Sequence, residues 1–375
     1  MPEPLIAGAA SPAPVPPAPL TRGAAPGRPH SWVRALIISA LILLVGAVLG
    51  AAGFVFEQSR ATWRPQVSAT SAGWRISTSH GLRLGGSALG GDRLAWEAGP
   101  FTLLTDLRSG KSRLLGAAAT TGSASVPSIS DRFVVWLQAP AYGSSGAAVW
   151  VYDVSRGRRT RLGGVQGMSQ SPAVSGTTAV WETFAGTNTQ RIHGIDLVTG
   201  RRFSLGESGG ASQLIIRGTL VAWVAPRSGP PGPPVITVVD LADGRRWAIA
   251  PYPRSQGSDV LGIALAGRTL VWGRSTAAAD EILTYDLDTA AVRTIAQGVG
   301  RSPLAADGDL VVWAQPSAQG ETRIVGLRLS GGDPFTIAAV AGGTVRNVFL
   351  SGETVAWHVA GTLLFDTYIQ TTRLP

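Results

Sequence analysis

The sequence predicts an all-β protein: a seven-bladed β-propeller (six or eight blades also fit) that follows a disordered tail and one transmembrane helix. Three observations lead to this fold class. A Trp recurs every 40 to 49 residues from Trp96 to Trp357. A residue suited to a hairpin turn precedes each Trp at a fixed distance, and an Asp-x-x-x-Gly turn follows most of them. A period of about 40 to 50 residues is typical of a four-stranded propeller blade.

The second strand of each unit ends at the recurring Trp. Runs such as Val134-Val135-Trp136 and Val311-Val312-Trp313 are apolar on both faces. A strand without polar alternation is typical of a strand buried on both sides. We therefore expect every Trp of the series to be buried; the series is Trp96, Trp136, Trp181, Trp223, Trp272, Trp313 and Trp357.

Two kinds of turn flank the Trp strand. Five residues before the Trp, a hairpin with positive φ is predicted, which Gly adopts freely and Asp tolerates. Its residues are Gly91, Asp131, Gly176, Gly218, Gly267, Gly308 and Gly352. The third strand is predicted to end at Asp106, Asp153, Asp196, Asp240, Asp286, Arg328 and Asp366, followed four residues later by Gly110, Gly157, Gly200, Gly244, Ala290, Gly332 and Gln370. A recurring Asp indicates a turn residue that accepts backbone N–H groups, because a catalytic group is needed only once.

Three short motifs carry a resemblance to a known family. They are the apolar-apolar-Trp strand, a Ser-Pro opening at Ser171-Pro172 and Ser302-Pro303, and an apolar-Asp-Leu turn at Ile195-Asp196-Leu197 and Tyr285-Asp286-Leu287. On these motifs, residues 86–375 resemble the TolB-like β-propeller repeat, a relative of the WD-repeat propellers. The resemblance implies a propeller fold and no particular activity. The chain differs from TolB, whose propeller has six blades, in having seven units and no recognisable N-terminal TolB domain.

The segments before the repeat differ in composition. Residues 1–31 are rich in Pro and Ala and are predicted to be disordered. Ala35–Phe56 contains 22 residues without a charge, which at about 1.5 Å per residue span a hydrocarbon core of about 30 Å. We therefore predict an uncleaved transmembrane helix over 32–56, with a cleaved signal peptide as the alternative.

The remaining boundaries follow from the repeat. Residues 57–85 are predicted to be a linker and 86–375 the propeller. Two ways of closing the ring stay open at this point. Either Trp74-Arg75-Ile76 joins the last blade, or the last unit is complete, with Gln370–Leu374 as its outer strand.

Charge and composition limit the location and the class of the protein. The net charge is +9. Basic residues flank the predicted helix on both sides, with only a slight excess before it. A short cytoplasmic tail with an exported domain is the commoner arrangement, so we predict a single-pass protein of the cell membrane with an extracytoplasmic propeller. The chain contains no Cys, so no disulfide bears on this placement.

Motifs that carry chemistry are few. The histidines His30, His80, His193 and His358 show no metal-ligand spacing. No phosphate loop or dinucleotide fingerprint occurs, and the Gly-x-Ser-x-Gly run at 206–210 is interpreted as a loop between blades, because a nucleophile elbow requires a helix after it. We therefore predict no catalytic residue, no metal, no cofactor and no nucleic-acid partner.

Three polar residues interrupt an otherwise apolar position, the one just after the repeat Trp. They are Glu97, Glu182 and His358. Because the first and last units are neighbours in a closed ring, we expect Glu97 and His358 on adjacent blades at the channel mouth. The three residues are candidate ligand-binding residues. The alternatives are polar strand ends that face water, or acid/base groups of a propeller hydrolase or lyase.

A second candidate surface is basic. The predicted outer strands of four consecutive units begin with Lys111 and Arg113, Arg158 and Arg159, Arg201 and Arg202, and Arg245 and Arg246. Such residues either prevent edge-to-edge strand pairing or contact anionic lipid or a wall polymer. The long loops 138–147, 225–234 and 250–262 are predicted to share one face, which we assign to ligand binding. The sequence therefore favours a membrane-anchored module that binds a protein or a cell-envelope polymer, and not an enzyme.

The predicted anchor can be tested in cells. The protein should stay with the membrane fraction through an alkaline carbonate wash, because a spanning helix is not released by breaking charge contacts. Protease added to spheroplasts should digest the propeller. Protection in spheroplasts with digestion in lysed cells would reverse the predicted orientation.

Overall fold

The computed structural model of the chain describes residues 65–78, 84–117, 126–139, 147–165, 172–185, 189–208, 210–225, 234–250, 260–276, 279–317, 320–361 and 367–374. These residues form 29 strands in seven antiparallel sheets and contain no helix. None of the described segments is therefore a helix that could cross a membrane. The predicted tail and the predicted membrane helix lie outside the described residues.

The chain begins with a hairpin and continues with four-stranded blades. The hairpin consists of β1 (Pro65–Thr70) and β2 (Gly73–Thr78). Blade 1 contains β3 (Leu84–Gly90), β4 (Arg93–Ala98), β5 (Phe101–Asp106) and β6 (Ser112–Ala117). Blade 2 contains β7 (Ser128–Ile129), β8 (Phe133–Gln138), β9 (Ala147–Asp153) and β10 (Arg158–Val165). Blade 3 contains β11 (Ala173–Ser175), β12 (Thr178–Ala185), β13 (Thr189–Asp196) and β14 (Arg202–Glu207).

The second half repeats this plan. Blade 4 contains β15 (Ser212–Arg217), β16 (Leu220–Ala225), β17 (Val235–Asp240) and β18 (Arg246–Ile249). Blade 5 contains β19 (Val260–Ala266), β20 (Thr269–Ser275), β21 (Asp280–Asp286) and β22 (Val292–Gln297). Blade 6 contains β23 (Leu304–Asp307), β24 (Leu310–Pro316), β25 (Thr322–Arg328) and β26 (Phe335–Val340). Blade 7 contains β27 (Thr344–Ser351), β28 (Thr354–Ala360) and β29 (Thr367–Arg373), joined by the N-terminal hairpin.

The seven sheets form a closed ring. The first strand of each blade contacts the first strands of both neighbours, and the cycle closes between β27 and β3. The predicted seven-bladed propeller is therefore confirmed.

The interfaces between blades, called seams here, hold the core. Seven apolar clusters are present in the described residues, one for each seam. Trp136 of blade 2, for example, packs with Leu104 and Leu115 of blade 1. All seven repeat Trp side chains are at most 3% exposed, so the predicted burial is confirmed. Each Trp faces the preceding blade, and its strand neighbours face the following one.

The first turn follows the prediction in six blades. The six glycines have φ between 54° and 57°. The prediction is wrong for Asp131, which does not adopt positive φ. In blade 2 the N–H of Ser130 donates to the Phe133 carbonyl at 2.8 Å, and the N–H of Phe133 donates to the Ser130 hydroxyl at 3.2 Å. This turn needs no glycine, because its residues have negative φ.

The second turn is held by the recurring Asp, as predicted. The backbone N–H of Thr199 and the hydroxyl of Thr177 donate to Asp196 at 2.7 and 2.8 Å and lower the pKa of Asp196 to about 2. In blade 2, the guanidinium of Arg132 holds the pKa of Asp153 well below its usual range. The Asp thereby connects both turns of one blade. Ala290 takes the left-handed conformation, with φ of 59°, that glycines adopt in other blades.

The last unit departs from the prediction. Thr354 pairs with Arg373, as Thr178 pairs with Asp196 in blade 3. The Leu374 N–H donates to the Glu353 carbonyl at 2.8 Å, the bond by which the residue after the Asp connects the two turns in other blades. Arg373 therefore occupies the position assigned to Asp366, which itself lies outside the described residues. The error came from placing the third strand before its actual start at Thr367.

The N-terminal hairpin closes the ring. In blade 7 the strand order is β27, β28, β29, β2 and β1. The Trp74 indole N–H donates to the carbonyl of Leu107 in blade 1, and the Trp247 indole in the outer strand of blade 4 donates to the equivalent Leu287 carbonyl of blade 5 at 3.0 Å. A Cβ at Gly110 would lie 2.7 Å from the Trp74 ring, so only glycine fits beneath it.

Two open points are thereby decided. β2 is the fourth strand of blade 7, and residues 370–373 belong to its third strand. The propeller starts at Pro65 and not at residue 86, because half of the segment assigned to the linker pairs with the last blade.

Trp74 and Trp247 form a matched pair for testing closure. Either substitution to Ala should lower the free energy of unfolding by about 2 kcal/mol, less than for a fully buried Trp, since both rings are half-buried. Only Trp74→Ala should also speed amide hydrogen exchange in β2 and β29, because it weakens the closing strand. Equal exchange of these strands in the two variants would contradict this role of Trp74.

Candidate functional site

The first strands of the blades surround a narrow central channel. Its cavity has a volume of about 290 Å³ and an apolar wall that includes Leu89, Ile129 and Leu265. Among the described lining residues, Arg217 is the one that carries a charge. The middle of the channel therefore offers few groups for chemistry.

A ring of mostly polar residues surrounds the channel mouth at the face of the tight turns. These residues lie six positions before each repeat Trp: Gly90, Ser130, Ser175, Arg217, Ala266, Asp307 and Ser351. Their side chains bind the turns of neighbouring blades. The N–H groups of Gly91, Gly218 and Gly352 donate to Ser351, Ser175 and Asp307 at 2.8, 2.9 and 2.7 Å. The sequence analysis missed this ring, although its fixed spacing from the Trp could have identified it.

One ion pair crosses the channel mouth. Arg217 of blade 4 pairs with Asp307 of blade 6, past blade 5, where the equivalent residue is the small Ala266. The pair neutralises the charged residue that faces the channel. The mouth is therefore a structural connection between turns more than a site for an ion.

Glu182 accepts two hydrogen bonds in the seam between blades 3 and 4. Its side chain is buried, with 1% exposed. The carboxylate accepts the hydroxyl of Ser208 and the N–H of Ala211, the latter at 2.8 Å. Both partners belong to the connection between β14 and β15, so Glu182 holds one blade to the next.

Glu97 occupies the same position in blade 1 but has a different environment. Its carboxylate accepts the Gly86 N–H at 3.0 Å, and a Cβ at Gly85 would lie only 2.4 Å from it. Burial raises the pKa of Glu97 to about 7, and the Gly86 N–H partly offsets this shift. Because Ala95 packs with Trp136 in the seam between blades 1 and 2, Glu97, two residues along β4, faces the same seam.

His358 lies in a third seam. It is on the same face of β28 as Ala356, which packs with Trp96 between blades 7 and 1. Glu97 and His358 are therefore on opposite sides of the sheet of blade 1. The two residues lie on adjacent blades, as expected, but they face different seams, and none of the three candidates is among the described residues that line the central cavity or its mouth at the tight turns. Whether any of them binds a ligand stays a prediction.

The predicted basic residues lie at exposed starts of outer strands and separate into two sets. Two of the second arginines contact the preceding blade. Arg159 and Arg202 donate to the carbonyls of Leu115 and Leu162 at 3.4 and 2.7 Å, and the Arg246 guanidinium lies 5.3 Å from the centre of the Trp223 ring. Leu115 and Leu162 are equivalent positions, each five residues after its turn Gly. Arg159 and Arg202 are therefore inter-blade contacts, whereas Arg246 contacts a residue of its own blade.

The first residue of each pair forms what we call the outer arc. It consists of Lys111, Arg158, Arg201 and Arg245 on four consecutive blades, all exposed. Within the described part of the chain, no carboxylate lies within ion-pair distance of these side chains. The long loops assigned to a ligand face lie almost entirely outside the described residues.

The described residues contain no cluster of metal ligands.

Comparison with known proteins identifies the fold. No protein-family model and no curated protein matches the chain. A chain of the Mitotic Checkpoint Complex aligns with 14% identity over 83% of this chain and 98% of its own, with a TM-score of 0.57. The β-propeller domain of the Trilobed protease from Pyrococcus furiosus aligns with 12% identity over 78% of this chain and 95% of its own, with a TM-score of 0.58. An oligogalacturonate lyase in complex with manganese aligns with 12% identity over 84% of this chain and 96% of its own, with a TM-score of 0.54.

These identities establish the β-propeller fold and no shared activity. The resemblance to propeller repeats is confirmed at that level. TolB from Acinetobacter baumannii aligns with a TM-score of only 0.44 over 72% of this chain, too low to support a common function.

The raised pKa of Glu97 predicts how stability depends on pH. The folded protein retains a proton that the unfolded chain releases between about pH 4.5 and 7. This contribution is fully present below pH 4.5 and is lost as the pH rises to 7. The loss is at most about 3.5 kcal/mol, because the pKa rises from 4.5 to about 7 and one pKa unit corresponds to about 1.4 kcal/mol.

Urea unfolding at pH 5 and pH 7.5 measures the effect. Glu97→Gln, which does not titrate, should lose less stability between the two values than the parent. An identical loss in both proteins would mean that Glu97 does not carry the pH dependence.

Proposed function

We propose that the protein is a membrane-anchored, extracytoplasmic binding module that contacts an anionic component of the cell envelope through the outer arc. The observation that carries this proposal is the arc itself. Four exposed basic side chains lie at one repeat position of four consecutive blades, and none forms an ion pair with a described carboxylate. Unneutralised charges of one sign on a rigid surface favour a partner of the opposite sign.

The arc is confined to one side of the ring. The equivalent positions of blades 5 and 6 carry Ala291 and Asp333. A uniform requirement for solubility would not select one half of the disc. Each basic residue near an anionic surface contributes about 1 kcal/mol, weakened by salt. Four such residues supply enough attraction to hold a tethered domain against a surface.

The predicted anchor supports this contact. Residues 57–64 separate the predicted helix from β1, and eight residues extend to at most about 29 Å. The propeller of a protein anchored in this way stays within reach of lipid headgroups and of polymers attached at the membrane.

An enzyme that uses Glu97, Glu182 and His358 together is not proposed. General acid–base catalysis requires its groups within hydrogen-bond reach of one substrate. These three residues face three different seams, and Glu182 already has two partners in its own seam.

Vesicle flotation of the compact unit Trp63–Pro375 tests the proposal. Binding is expected to vesicles that contain phosphatidylglycerol, and not to phosphatidylcholine alone, and should weaken with added salt. Replacing the four arc residues by Ser should reduce binding at least tenfold. The matched control replaces Arg293, Arg323, Arg328 and Arg346, four exposed arginines of blades 5 to 7, by Ser. Equal losses in the two variants would show that net charge, and not the arc, governs binding.

A further inference from the structure

The outer opening of the seam between blades 1 and 2 contains three arginines that do not belong to the outer arc. We call it the arginine groove; it is formed by Arg113, Arg159, Arg161, Trp150 and Tyr152. Strand pairing places these side chains on the faces that meet in this seam. Arg159 and Arg161 pair with Tyr152 and Trp150 across β9 and β10, and Arg113 pairs with Leu104, a core residue of the same seam.

The contacts in the arginine groove orient the guanidinium groups of Arg113 and Arg159 without neutralising them. Arg113 donates to the hydroxyl of Tyr152. The Arg159 guanidinium lies 4.3 Å from the centre of the Trp150 ring. Each of these partners is uncharged. Among the described residues, no carboxylate forms an ion pair with the three arginines.

Three like charges in one groove repel one another. Neighbours of one sign raise the free energy of a site unless a counter-ion is present. The Tyr152 hydroxyl holds Arg113 in place despite this repulsion, and the Trp150 ring and the Leu115 carbonyl hold Arg159. Such an arrangement is suited to an anion that bridges the guanidinium groups.

The chemistry of the arginine groove points to phosphate. A guanidinium presents a planar fork of donors that matches phosphate and carboxylate oxygens. A carboxylate has two oxygens and is occupied by one such fork, whereas a phosphate offers more oxygens and up to two charges. Three arginines therefore match a phosphate better than a carboxylate. The groove lies at exposed strand edges, so the phosphate can belong to a large molecule.

We infer that the arginine groove of Arg113, Arg159 and Arg161 is a phosphate-binding site. This inference rests on the proposed function, since it names the chemical group that the anionic partner presents. Phosphate can come from a polymer or from a lipid headgroup, and the probes below separate these sources.

The test measures dissociation constants for the detergent-solubilised full chain at fixed ionic strength. The probes are inorganic polyphosphate, polyglutamate of equal charge, and the short-chain lipid dihexanoyl phosphatidic acid. The groove variant is Arg113→Gln with Arg161→Gln; Arg159 is retained because it also contacts blade 1. The matched control is Arg293→Gln with Arg323→Gln, which removes the same charge from exposed arginines of blades 5 and 6 that belong neither to the outer arc nor to the groove. Thermal unfolding verifies that both variants are folded.

At least one phosphate probe should bind ten times more tightly than polyglutamate. The groove variant should lose at least tenfold in affinity for that probe, and the control variant less than threefold. Arg113→Lys with Arg161→Lys keeps the charge but removes the forks, so it should also lose most of the preference for phosphate. Preference for polyphosphate assigns a polymer as the source, and preference for phosphatidic acid alone assigns a lipid headgroup.

Equal losses in the groove and control variants, or equal affinity for phosphate and carboxylate probes, would overturn the phosphate site. In that case salt-sensitive binding to all anions would leave the proposed function standing. Absence of binding to every anionic probe would reject both the site and the proposed function.

Discussion

The structure depends on the burial of one Trp per blade against the blade before it. No blade can bury its own Trp, because the ring projects from the face of its sheet into the seam. Each blade therefore needs the preceding blade to cover its Trp. In a closed ring every blade has such a neighbour, including blade 1, which follows blade 7. Closure by β2 is then a condition for the cluster between blades 7 and 1, since an open ring would expose Trp96 and its partner Ile369. The same dependence explains why the turns are joined from blade to blade at the channel mouth.

The repeat itself could be predicted because its signals recur at fixed spacing. Trp burial and the glycine turns follow from residues that are costly to replace. Features that occur once were harder to predict. β2 lies almost 300 residues from its partner strand, and nothing in its local sequence shows that it pairs there. Arg373 was missed because Asp366, a few residues earlier, is the residue type that ends the third strand in most other units.

The candidate site shows a second limit of sequence analysis. Alignment places Glu97 and His358 at the same position of neighbouring blades, but the side chains of that position always point towards the following blade. Two neighbours in the ring consequently face different seams. A site shared by adjacent blades needs residues from opposite faces, as in the arginine groove, where Arg113 comes from one face and Arg159 from the other. Successive side chains of a strand point to opposite faces of the sheet. Counting residues from the Trp therefore shows which seam each side chain faces.

Closure by the N-terminal hairpin also determines how the domain responds to mechanical load. Any tension transmitted along the chain from before Pro65 is applied to β1 and then to the ladder between β2 and β29. That ladder pairs only three residues of each strand, Arg75 to Ser77 with Tyr368 to Gln370. Arg75 lies over the Tyr368 ring at 3.9 Å, which adds one side-chain contact to the joint. The strand that completes the ring is thus the first part of the propeller to carry a pulling force, and its rupture would open the disc at blade 7 before any other seam is loaded.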